Sequence, residues 1–263
     1  MIRVTPMTSE PDRALLGAIG ADLDTRRAVV LSAGLRESLD PRTREVLQTP
    51  LADVDLVRYS EIQTDSGATA FLVTRAILRV VLGHLLDRPG ADVELLTAER
   101  GKPSVAEVID PPLHFNTSHS ETQAVVALTR VGDIGVDVED ISIPDERVVR
   151  RALSSDEYEA LASMPVEERA RAFYRLWTVK EACAKATGIG IGIGMRKVAA
   201  TLDASGRWRE YRWDAIDLGL RVAAAVAVMS PGADEGYGPI AVRRDVLEGL
   251  FGVGPGFAPP GAG

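Results

Sequence analysis

The feature that narrows the fold of this chain most is an order met twice: a long stretch with helical apolar spacing, then several short strand-like runs. In its first occurrence Phe71, Val73, Ile77, Leu78, Val81, Leu82 and Leu85 recur at helical spacing within residues 67–86, with Arg75 and Arg79 one turn apart on one side. Asp87-Arg88-Pro89-Gly90 ends this helix, because proline removes a donor and glycine permits an unusual backbone angle. Strand-like runs follow at 93–96, 113–117, 123–129 and 133–138, and Val131-Gly132-Asp133 reads as a hairpin turn between the last two. Upstream, residues 28–33 suit a short buried strand, and residues 1–25 form a weakly periodic lead-in.

The second occurrence begins with a helical block over 145–163. A further helix has Pro165 in its first turn, Glu167 and Glu168 at its positive start, and an expected end at Thr187. Gly188 is placed to terminate it, and Gly190, Gly192 and Gly194 make a permissive loop. Strand-like segments return at 198–202, 206–213 and 222–229. The expected fold class is therefore α+β, with two similar α+β halves in one chain, residues 1–130 and 131–251. Residues 252–263 form a Gly/Pro-rich tail expected to be disordered. Identity between the halves is too weak to be called a repeat.

Composition excludes several classes of function. A formal charge of -8 argues against a general nucleic-acid binder, whose affinity for phosphates comes from a positive surface. Any polyanionic ligand needs a local basic pocket. A single cysteine, Cys183, allows neither an intrachain disulfide nor a multi-cysteine zinc site, and a reducing compartment suits it. No apolar run reaches the roughly 20 residues of a membrane span, and the start lacks a basic segment followed by an apolar one. The expectation is a cytoplasmic monomer with no membrane or nucleic-acid partner.

Four local patterns carry chemistry. In Gly135-Val136-Asp137-Val138-Glu139, strand alternation puts Asp137 and Glu139 on one face roughly 7 Å apart, where two carboxylates call for a cation between them. By itself the pattern is equally a strand running out into solvent. In Trp177-Thr178-Val179-Lys180-Glu181-Ala182-Cys183-Ala184-Lys185, Trp177, Glu181 and Lys185 share one helix face. An ordinary Glu–Lys helix pair beside a core tryptophan has the same pattern. Phe115-Asn116-Thr117-Ser118-His119-Ser120 offers hydroxyls, an imidazole and amides suited to phosphate oxygens, or a plain polar turn. Gly101-Lys102-Pro103 presents a lysine as a point charge on a turn.

Taken in order, these four patterns resemble the signature of the 4'-phosphopantetheinyl transferases of the larger, Sfp-type class, over residues 101–185. The resemblance implies two similar α+β halves related by a pseudo-twofold, the phosphopantetheinyl transferase fold. It also implies coenzyme A as substrate bound between the halves, and Mg2+ held by Asp137, Glu139 and Glu181. Lys102, beside Pro103, would meet the coenzyme's 3'-phosphate, and Ser118, His119 and Lys185 would contact phosphates, with Asp137 beside them. Glu181 is the candidate general base, Lys185 the charge stabiliser, and Asp137 the third catalytic group. One departure stands out: where related sequences often carry an arginine before the aromatic residue of the first helix, this chain has Ala70, and Arg75 or Arg79 would have to compensate. The partners implied are apo acyl or peptidyl carrier proteins of fatty acid, polyketide or non-ribosomal peptide synthesis. Arg147, Arg150 and Arg151 or Arg169, Arg171 and Arg175 are the basic clusters expected to dock them. A non-catalytic coenzyme A or nucleotide-binding module and a magnesium phosphohydrolase are the alternative functions.

Overall fold

A computed structural model describes residues 11–25, 27–97, 102–230 and 238–253. Its helices are α1 (Arg13–Asp24), α2 (Pro41–Gln48), α3 (Asp53–Glu61), α4 (Asp65–Leu85), α5 (Glu146–Ala152), α6 (Ser155–Ser163), α7 (Val166–Ala186) and α8 (Leu247–Phe251). Its strands are β1 (Val29–Gly34), β2 (Leu95–Thr97), β3 (Pro103–Val105), β4 (His114–His119), β5 (Gln123–Thr129), β6 (Ile134–Asp140), β7 (Ser205–Trp208), β8 (Tyr211–Ile216), β9 (Val222–Met229) and β10 (Ala241–Arg243). This is the α+β class that the doubled helix and strand pattern implies. One sheet runs β10-β1-β5-β4 and a second β6-β9-β8-β7, while β2 and β3 form a separate pair. Every pairing is antiparallel except that of β1 with β10.

Period-two alternation sorts the strand residues into layers. Val29, Leu31 and Ala33 of β1, with Ala124, Val126 and Leu128 of β5, face α4 and the other N-terminal helices. Val30, Val125 and Ala127 point the other way, onto Ile134, Val136 and Val138 of β6 and Ala224, Val226 and Val228 of β9. Ala225 and Ala227 turn outward again into the core beneath α7. The two sheets therefore pack on each other, with helices covering the outer face of each. Each sheet with its long helix, α4 or α7, repeats the same construction. The chain also returns: β10 pairs with β1, and Leu247, Leu250, Phe251 and Val253 complete the N-terminal core. Gly252, in the left-handed region, caps α8, and residues 254–263 of the expected tail lie outside the described residues.

Several local expectations need correction. The turn at 131–133 closes no hairpin, because β5 and β6 belong to different sheets and the turn carries the chain from one to the other. The block 145–163 splits at Ser154, whose side chain forms a capping box with Glu157 and starts a second helix. Residues 198–202 form no strand, and 206–213 bends into the β7–β8 hairpin at Arg209, which takes a positive φ. Part of the lead-in is α1, capped by Asp12 and burying Leu16, Ile19 and Leu23; residues 1–10 lie outside the described residues. Finally, α4 is long and apolar enough by length and composition to cross a membrane, contrary to the reading of the apolar runs. However, 67% of that stretch is buried in the protein, as expected of a core helix.

One close approach sets the position of the second half's main helix. A Cβ added to Gly135 on β6 would run into the Ala182 carbonyl oxygen and the Ala186 amide nitrogen of α7. Only glycine lets the strand lie against that backbone. Gly135→Ala should destabilise the protein by about 1–3 kcal/mol or more, as overpacking of a close-packed interface does, and urea denaturation will read this as a lowered midpoint.

Candidate functional site

Because Val136 and Val138 face the neighbouring sheet, Gly135, Asp137 and Glu139 face α7. Asp137 and Glu181 are buried at this junction. The ammonium of Lys185, one turn beyond Glu181, lies 2.7 Å from Asp137 Oδ1 and also donates to Ser118 Oγ at 2.9 Å and to the Val136 carbonyl at 3.2 Å. Ser118 Oγ donates to the same Asp137 oxygen at 3.0 Å. Trp177 Nε1 donates to Glu139 Oε1 at 3.0 Å. The helix column Trp177, Glu181, Lys185 thus meets the strand column Asp137, Glu139 face to face.

The carboxylates repel one another in a dry setting. Burial, then the Asp137 charge, pushes Glu181 up to about 7, with Lys185 opposing and Glu139 adding to the rise. Glu139 is raised as well, first by burial and then by Asp137, while the Trp177 hydrogen bond pulls it down. Asp137 Oδ2 and Glu181 Oε1 are buried with no hydrogen-bond partner. Such orphaned anionic oxygens are costly. They are hard donors of the kind a divalent cation such as magnesium takes. As placed, no three His, Cys, Asp or Glu groups form a gathered metal centre among the described residues.

Next to these acids lies a cleft of about 320 Å³ lined by Arg58, Phe71, Thr74, Arg75, Leu78, Pro103, Thr117, Ser118, His119 and Lys185. It has four basic side chains in its walls and no acidic one. Pro103, Ser118, His119, Lys185 and Arg75 are therefore brought together in one cleft. Two other residues are not. Arg79 is buried, bound to Asp55 at 2.7 Å, to the Gly90 carbonyl at 2.9 Å and to the Val93 carbonyl, so it ties α3 and the end of α4 together and is not available to a ligand. Lys102 holds Asp133 Oδ1 at 2.8 Å and the Ala186 carbonyl at 3.1 Å, and does not line the cleft. Asp133 is held well below the usual carboxylate range by His114 and then by Lys102. Gly101 lies outside the described residues.

Sequence reasoning missed three contributors. Asn116 Oδ1 accepts the Val136 N–H at 3.0 Å and so fixes β4 against β6. Arg58 and Phe71 reach the cleft only because α3 packs on α4, which local spacing cannot reveal. Lys180, inside the helix motif, is fully buried on the other side, paired with Glu157 at 2.8 Å and donating to the Met195 and Val198 carbonyls. Cys183 is buried, its thiol pushed up to about 12 by burial, as befits a core residue and not a nucleophile. Of the expected docking clusters, Arg147 pairs with Asp145 and Arg150 with Glu146. Arg169, Arg171 and Arg175 donate to the carbonyls of Met164, Leu220 and Leu202.

Residues 133–224, which hold β6, α7 and the start of β9, match the family model of the 4'-phosphopantetheinyl transferase superfamily. Among individual proteins it is similar to the 4'-phosphopantetheinyl transferase psf-1 of Bacillus pumilus, 34% identical over 136 residues, covering 52% of this chain and 57% of that protein. It is likewise similar to HetI of Nostoc sp., 34% identical over 148 residues, covering 55% and 62%. Sfp of Bacillus subtilis is 28% identical over 136 residues, covering 52% and 59%. The chain thus spans only 57% to 62% of the length of these relatives.

The raised carboxyls have a measurable consequence for the metal-free protein. Glu181 titrates at about 7 when folded and near the ordinary 4.5 when unfolded, so between these values the native state holds the extra proton. Its contribution to stability is therefore fully present below the unfolded value and is lost as the pH rises through about 7. In a chelating buffer, stability should fall by about 1–3 kcal/mol between about pH 5 and pH 8. Glu181→Gln, which cannot ionise, should flatten that slope in thermal melts. A wild-type slope in the variant would assign the effect elsewhere.

Proposed function

We propose that this chain is a 4'-phosphopantetheinyl transferase of the Sfp type. It moves the phosphopantetheine group of coenzyme A to a serine hydroxyl of an apo acyl, peptidyl or polyketide carrier protein and releases adenosine 3',5'-bisphosphate. The observation that carries this reading is the adjacency of a cleft with basic and no acidic side chains in its lining to buried carboxyl oxygens without partners. The chain is acidic overall at -8, so a basic cleft of this kind is a selective feature for a phosphorylated ligand.

Asp137, Glu139 and Glu181 would hold magnesium, which when bound supplies neutralisation of charge on the diphosphate. The protein's own groups do the rest by position. Lys185, fixed by Asp137, Ser118 and the Val136 carbonyl, offers its ammonium to diphosphate oxygens, and Ser118 and His119 offer hydrogen bonds from the end of β4. Glu181 takes the proton of the attacking serine hydroxyl, a role suited to a carboxylate held on the rigid helix α7 beside Asp137. The serine oxygen bonds to the β-phosphorus, the bond from that phosphorus to the bridging oxygen breaks, and the bisphosphate leaves with the electron pair.

The test is incubation of the full chain with coenzyme A, magnesium and an apo carrier protein, read by intact mass. The expected product is a carrier heavier by one phosphopantetheine, and Asp137→Ala should reduce its formation by at least about 100-fold, as loss of a principal electrostatic contributor does. Carrier-independent cleavage of coenzyme A would favour hydrolysis. Binding without either product would leave a coenzyme-binding module.

A further inference from the structure

Asn116 and Ser118 of β4 pair with Ala127 and Val125 of β5, whose side chains face the second sheet. Directly opposed residues of a strand pair share a face, so both polar side chains point from the first half onto β6. Among the described residues β6 is the last strand of its sheet, and such a strand presents backbone groups that no neighbouring strand pairs. At Val136 side chains take those groups: the N–H donates to Asn116 Oδ1 at 3.0 Å, and the carbonyl accepts the Lys185 ammonium at 3.2 Å. One residue on, Asp137 Oδ1 accepts from Ser118 Oγ at 3.0 Å and from Lys185 at 2.7 Å, while Lys185 also donates to Ser118 Oγ at 2.9 Å. These bonds close a ring that runs from β4 to β6, on to α7 and back to β4. An ammonium has three protons to give, and the Lys185 contacts within the ring account for all of them.

Asn116 differs from the other side chains of the ring. It is buried, it does not line the cleft, and its amide oxygen is already engaged, so it is not placed to touch a ligand. Without that acceptor the buried Val136 N–H would lack a partner, a costly state that is relieved when the strand shifts toward another acceptor or toward water. Such a shift carries along the Val136 carbonyl that helps to aim Lys185, and with it the Asp137 backbone that follows. Resting on the proposed transferase reading of the site, we infer that Asn116 is a positioning residue for the transfer step: by holding the Val136 peptide from the first half, it sets Asp137 and Lys185 where Ser118 meets them. The effect on rate is large because misplacement of reacting groups by about 1 Å costs on the order of 100-fold.

The experiment measures transfer kinetics of the full chain with coenzyme A, magnesium and an apo carrier protein, and a thermal melt of each variant. Wild type is compared with Asn116→Leu, Asn116→Asp, Ser118→Ala and the double variant Asn116→Leu with Ser118→Ala. Leucine keeps the bulk without an acceptor, whereas aspartate, ionised or protonated, keeps an accepting oxygen. Asn116→Leu should lower kcat by about 10- to 100-fold, with a much smaller change in the KM for coenzyme A, whose cleft this side chain does not line. Asn116→Asp should retain most of the wild-type rate. In the Ser118→Ala background the leucine substitution should cost less than about 3-fold, because the ring through which it acts is already open. If Asn116→Leu does not fold, Asn116→Ala goes through the same cycle. A lowered melting temperature with the wild-type kcat, or losses in kcat that simply multiply in the double variant, would make the asparagine merely structural and overturn the inference. A wild-type chain that forms no modified carrier overturns the transferase reading instead, whereas transfer with multiplying losses overturns the role of Asn116 alone.

Discussion

The contact on which the site depends is the approach of β6 to α7 at Gly135. A side chain there would collide with the helix backbone at Ala182 and Ala186, so the strand and helix lie closer than side-chain packing would allow. Asp137 and Glu139 follow on the same strand face, and Glu181 and Lys185 occupy the same stretch of helix. Their meeting is therefore a consequence of backbone contact and period, with no loop needed to bring them in. A constellation held by two regular elements in contact is pinned more tightly than one carried on loops. The interface is also dry, which is why Glu181 and Glu139 hold their protons to higher pH than exposed acids would.

Charge is distributed so that the repulsion at this junction is only partly relieved within the protein. Lys185 serves Asp137, and the Trp177 indole serves Glu139, while Glu181 Oε1 and the second oxygen of Asp137 are left without partners. Further out the sign reverses, with Arg58, Arg75 and Lys185 around the cleft. An acid cluster adjoining a basic cleft costs the empty protein stability on both sides. The pattern suits a ligand assembly that carries both signs, a cation together with a phosphorylated molecule, because each component then answers the half of the site that repels itself.

Much of this was legible in the sequence because the chemistry sits on regular elements. The alternation in Gly135-Val136-Asp137-Val138-Glu139 and the four-residue spacing of Trp177, Glu181 and Lys185 each fix a face, and the structure keeps both faces. The long helices were equally plain, since α4 and α7 carry apolar residues over many turns and end at Leu85 and Ala186, close to where breakers stand. What periodicity could not supply is partnership. The turn at 131–133 looks like a hairpin turn from its residues, yet β6 pairs with β9 from almost ninety residues on, because the alanine-rich face of β9 is what fits beneath α7. The return of β10 and α8 to the first half was invisible for the same reason. Arg79 illustrates the limit on site residues: one turn from Arg75 and identical in type, it differs only in which groups α3 and residues 90–93 bring to it.

The two halves are joined by polar ties that also serve the site. Asn116 of β4 accepts the Val136 amide of β6, and Lys102, just before β3, reaches Asp133 at the start of β6 and the last carbonyl of α7. Ser118, two residues beyond Asn116 on the same strand, shares Asp137 with Lys185. A shift of one sheet over the other would thus break contacts just before β6 and along its first half, and pull Ser118 away from Asp137. Apolar packing between the sheets sets their distance but is tolerant of sliding, since valine and alanine faces offer no direction. The directional bonds supply the register. This explains why Lys102, which looks like a phosphate ligand in the sequence, is used together with Asn116 to hold the first half against the second, leaving Ser118, His119 and Lys185 to face the cleft.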